Sequence, residues 1–149
     1  MNKSKNRLGL PVVTLFLLAL LGIPRVIAHD LNWVEPGGLS NMLLVFIPPL
    51  IWLGVVVKKT TKPFKPLLLI GIFYGILLGF THQLLWTSVF DSSPTLGSTL
   101  SDVSVSTNAL ITRMFGFISS LLTGTVVGLI VGLVGSFINS IRGVSTRKT

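Results

Sequence analysis

Residues 110–137, LITRMFGFISSLLTGTVVGLIVGLVGSF, form a run of 28 residues with one charge, Arg113, near its beginning. A helix rising about 1.5 Å per residue needs about 20 apolar residues to cross ~30 Å of hydrocarbon, and this stretch exceeds that. The run is continuously apolar and lacks the alternation of a barrel strand. Three further stretches read the same way: 8–28, LGLPVVTLFLLALLGIPRVIA, with Arg25 near its end; 40–57, SNMLLVFIPPLIWLGVVV; and 66–88, PLLLIGIFYGILLGFTHQLLWTS, which holds His82. The sequence therefore predicts an all-α integral membrane four-helix bundle with short loops, a single polytopic domain over 1–149.

Composition agrees. Half the residues are apolar and 11% are charged, against about 25% in a soluble domain. That hydrophobicity excludes a disordered chain. The absence of cysteine excludes disulfides, thiolate nucleophiles and cysteine metal sites. A net charge of +8 would point to nucleic acid if it were spread over the chain. Here it sorts by side. Lys3, Lys5, Arg7, Lys58, Lys59, Lys62, Lys65, Arg142, Arg147 and Lys148 all fall on one side of the predicted topology, and Asp30, Glu35, Asp91 and Asp102 on the other. Cytoplasmic segments retain Lys and Arg, so both termini and the loop 58–65 are expected inside, with 29–39 and 89–109 as outer loops. No nucleic-acid partner is expected. Trp33 and Trp86 are placed at the outer boundary and Trp52 toward the inner one. The pattern resembles the broad group of small bacterial inner-membrane proteins with four helices and cytoplasmic termini, which implies a bacterial cytoplasmic membrane.

The first span admits a second reading. MNKSKNR could be the basic region of a signal peptide, with Val26-Ile27-Ala28 as the cleavage site and His29 as the new N-terminus. The apolar run is longer than the roughly 7 to 15 residues of such segments, which favours a retained helix.

Two spans carry rows of small residues at four-residue spacing. Gly71, Gly75 and Gly79 mark the third; Gly116, Ser120, Gly124, Gly128, Gly132, Ser136 and Ser140 mark the fourth. Small residues let membrane helices approach closely, so these faces are expected to pack together or to form an interface with a second copy or another membrane protein. Pro48-Pro49 predicts a kink in the second span, freeing carbonyls near Leu44 and Val45.

Ionisable groups within a span mark candidate sites, because placing them there is costly. Gln83 continues the Gly71-Gly75-Gly79 row, His82 lies beside it, and Arg113 is on the small-residue face of the fourth span. Antiparallel packing of the two faces would bring His82, Gln83 and Arg113 together, with Arg25, His29 and Asp30 closing the site from the first span. Such a cluster predicts an outer-leaflet anion site, since guanidinium offers a fork of donors. No zinc-hydrolase, serine-hydrolase or nucleotide-binding motif occurs. No catalytic residue, metal site or cofactor is expected. Three functions fit: an accessory or scaffold subunit, alone or as a homo-oligomer assembled through its glycine faces; a small transporter or lipid-handling protein; or a haem- or quinone-binding anchor using His82.

Overall fold

A computed structural model describes residues 8–90, 94 and 103–145. Lys3, Lys5, Arg7, Asp91, Asp102, Arg147 and Lys148 lie outside the described residues. The described chain is helical: α1 (Val12–Leu20), α2 (Ile23–Asp30), α3 (Leu39–Lys59), α4 (Phe64–Leu84), the single turn α5 (Trp86–Val89) and α6 (Val105–Ser145). Four segments among them are long and apolar enough to cross a membrane: Val12–Asp30, Leu39–Lys59, Phe64–Leu84 and Val105–Gly143.

The first span is broken rather than continuous. Pro24 lacks an N–H and its ring crowds the preceding turn, so α1 stops at Leu20 and α2 restarts after Gly22 with proline in its first turn. Leu21 and Gly22 donate instead to the carbonyls of Leu18 and Ala19, a tighter turn that bridges the break. Gly22 is required there: a Cβ would stand 2.5 Å from the Tyr74 ring. Both His29 and Asp30 lie in the last turn of α2, where the sequence placed them in a loop.

The helix α4 forms the centre of the bundle. It buries Leu67, Ile70, Gly71, Tyr74, Gly75, Leu78 and Gly79, a stripe with helical spacing. Its glycines meet α6 with the chains antiparallel. A Cβ on Gly71 would overlap the Gly128 backbone and stand 2.5 Å from the Gly124 carbonyl, and one on Gly75 would stand 3.0 Å from the Ser120 carbonyl. Gly79 faces Phe117 and Gly116 faces Trp86. Small residues let helix backbones approach closely, and α4 and α6 meet through contacts of this kind.

Hydroxyls along α6 are satisfied within the helix. Ser120, Thr125 and Ser136 donate to Gly116, Leu121 and Gly132 at 2.8, 2.7 and 2.9 Å. This lets them lie in an apolar helix without unpaired donors. On the other side of the bundle α1 and α2 supply Leu15, Ala19 and Val26 to a core completed by Trp52, Val56, Leu67 and Ile70. The outward faces are apolar: Val13, Leu17, Leu43, Phe46, Leu50, Phe115, Leu122, Leu133 and Phe137 are all exposed. Continuous apolar exposure on this scale suits a surface that contacts acyl chains.

Trp52 departs from its expected place. It is 1% exposed, inside the bundle instead of at a boundary, because its indole N–H donates to the Leu18 carbonyl at 2.6 Å, beside the α1–α2 break. Trp86 is likewise drawn inward and is 8% exposed, while Trp33 is exposed.

Candidate functional site: a cavity beside Asp30

The ends of α2, α4 and α6 meet where the sequence predicted a convergence. The α4 helix stops at Leu84, short of the expected 88, because Leu85 turns and Trp86 folds over Gly116. His82 is therefore in the last turn of its helix, not deep within it. Asp30, 4% exposed, is held between two imidazoles: His82 Nδ1 is 2.6 Å from one carboxylate oxygen and His29 Nδ1 3.4 Å from the other. With Nδ1–H donating to Asp30, the Nε2 of a neutral imidazole is left as an acceptor.

These three residues line a cavity of about 540 Å³. Thr112, Ser119 and Ser120 of α6 extend its polar side, and Trp86, Val89, Phe90 and Phe115 form an apolar wall. The Thr112 and Ser120 hydroxyls donate within α6. Ser119 is exposed and offers its hydroxyl to the cavity. The lining combines a few hydrogen-bonding groups with aromatic and aliphatic surface.

Gln83 and Arg113 do come together, but beside this cavity. The Gln83 amide donates to the Arg113 carbonyl at 3.0 Å, pinning α4 to α6. The Arg113 guanidinium lies 5.2 Å from the centre of the Trp86 ring, a cation–π contact, and does not line the cavity that holds His82. Arg25 is not in the cluster at all. Five residues separate it from Asp30, which at ~100° per residue places the two about 140° apart around α2. It faces instead a second cavity between Tyr74, Trp52 and the Pro48-Pro49 kink.

No family model, curated protein or solved structure matches the chain. Among the described residues no three His, Cys, Asp or Glu are grouped as metal ligands.

Sequence reasoning missed Tyr74, Trp86 and Ser119. Tyr74 is the only tyrosine in the chain and sits in the middle of an apolar span, which was a usable signal. Trp86 and Ser119 enter only because α4 ends early, which no local pattern announces.

Proposed function

We propose that the protein is a four-span membrane protein with both termini in the cytoplasm, and that it handles lipid or a comparable amphiphile in the cavity beside Asp30. With that orientation the cavity lies toward the outer leaflet. The observation that supports this reading is the mixed lining: a His29–Asp30–His82 cluster and Ser119 share the cavity with Trp86, Val89, Phe90 and Phe115. Ligand sites of this kind pair an apolar body with a few placed polar groups.

The polar groups favour a headgroup that donates hydrogen bonds, such as a hydroxyl or amine. A carboxylate flanked by imidazole acceptors repels a bare anion, and neither arginine lines this cavity. Gly71, Gly75, Gly124 and Gly128 are used in the α4–α6 contact within the chain, so an accessory or homo-oligomer role would draw on other faces of the bundle.

Trp86 lines the cavity and reports on it directly. Phosphatidylethanolamine with brominated acyl chains, added to the delipidated full chain in mild detergent, should quench indole fluorescence saturably, and Trp86→Phe should remove the saturable part. Quenching that is equal in both proteins would overturn the proposal.

A further inference from the structure

The second cavity, about 210 Å³, is lined by Gly22 just before α2 and Arg25 within it, Pro48, Pro49 and Trp52 of α3, Tyr74 of α4, and Thr123 and Val127 of α6. The α1–α2 break and the Pro48-Pro49 pair both border it. Pro48 and Pro49 leave the carbonyls of Leu44 and Val45 without helical donors, and these two residues line the cavity. The α1–α2 break puts Gly22 and Arg25, at the start of α2, on the same space.

Arg25 is the decisive group. Its Nε–H is fully shielded and has no partner. Its guanidinium lies beside the Tyr74 hydroxyl. The carboxylate on its own helix, Asp30, is taken by His29 and His82, so among the described residues no acid pairs with Arg25. A guanidinium keeps its charge in a protein, and a charge among apolar helices is costly unless a counter-charge is present.

We propose that this cavity is a binding site for a small oxyanion that carries its own hydrogen-bond donor, such as an acid phosphate or an amino acid zwitterion. The oxyanion is held by Arg25 and the Tyr74 hydroxyl, which together supply a charged fork and a neutral donor. The ligand's O–H or N–H is taken by the Leu44 and Val45 carbonyls across the cavity. Interrupted membrane helices expose backbone groups to ligands in this manner, with N-terminal ends toward negative charge and freed carbonyls toward positive groups. Its lining shares no residue with the cavity beside Asp30, so the site is separate from the amphiphile cavity and does not depend on it.

Trp52 lines this cavity, which supplies the readout. In full-length protein carrying Trp33→Phe and Trp86→Phe, embedded in phosphatidylcholine nanodiscs, inorganic phosphate, glycine and acetate are titrated separately against Trp52 fluorescence. Phosphate or glycine should give a saturable change, and acetate, which lacks the donor, should bind at least tenfold more weakly. Arg25→Gln should weaken the response at least tenfold and Tyr74→Phe about threefold, with helicity by circular dichroism unchanged in Tyr74→Phe. If Arg25→Gln does not fold, Arg25→Lys replaces it, with a loss of the bidentate fork expected to weaken binding severalfold. A flat titration with phosphate and glycine in the parent protein would overturn the site. So would acetate binding as well as either of them, or Arg25 and Tyr74 variants that titrate like the parent.

Discussion

The carboxylate of Asp30 stands 2.6 Å from Nδ1 of His82, a contact that joins residues 52 apart in sequence and ties the end of α2 to the end of α4. Asp30 is 4% exposed, so its carboxylate depends on the imidazoles for most of its hydrogen bonding. It fixes the ring orientation of His82 and so the direction in which Nε2 points.

Removing the carboxylate leaves His82 without its partner. Asp30→Ala should lower stability by about 1–3 kcal/mol, the range for losing one side of a buried hydrogen bond. A double-mutant cycle with His82→Ala, read by SDS titration in bicelles, should show strong coupling between the two positions. Additive losses would mean that the contact contributes nothing.

Backbone contact between α4 and α6 makes a sharper prediction. Gly71→Ala and Gly124→Ala each place a Cβ against opposing backbone, which cannot move aside as a side chain can. Each should destabilise by about 1–3 kcal/mol or more. Gly54→Ala has open space around it and should be close to neutral or slightly stabilising. Gly128→Ile should disrupt the monomer's fold rather than merely dissociate an oligomer, which size-exclusion and circular dichroism together distinguish.

Trp52 closes the α1–α2 break through its bond to the Leu18 carbonyl. Trp52→Phe keeps most of the ring's volume but removes that bond, leaving the Leu18 carbonyl with the Leu21 N–H alone. A loss of about 1 kcal/mol is expected, with faster amide exchange confined to residues 18–24. Uniform exchange along α1 and α2 in the variant would contradict the bridging role.

Leu15, Ala19 and Val26 are fully buried against α3 and α4. A chain cut after Ala28 would lose these contacts, so the account requires the first span to be retained. The intact mass of the purified protein should correspond to the uncleaved chain.

Much of this arrangement is legible in the sequence, because the governing patterns are long and physical. Four apolar runs specify four long apolar helices. Glycine rows at fourfold spacing foretell the antiparallel α4–α6 contact, and they correctly turn Gln83 and Arg113 toward each other. The illegible part follows from angle and termination. His29, Asp30 and Arg25 look like one cluster in sequence, yet helical rotation sends Arg25 to the opposite side of α2 and leaves Asp30 to the histidines. Trp52 and Trp86 are interface residues by type, but Trp52 finds a carbonyl released by a helix break and Trp86 a glycine opposite a helix end. Gly22 and Pro24 carried the signal for that break.

Occupation of the cavity beside Asp30 by an amphiphile is checked by native mass spectrometry of the full-length protein in mild detergent, comparing the parent chain with Ser119→Trp. Ser119 lies on the cavity wall and is exposed to it, so the indole fills the space without touching the α4–α6 glycine contact. The account predicts a discrete adduct of lipid mass on the parent protein that is lost or reduced at least tenfold in Ser119→Trp, while both remain folded. The same adduct in equal amount on both proteins, or no retained adduct on the parent, would contradict it.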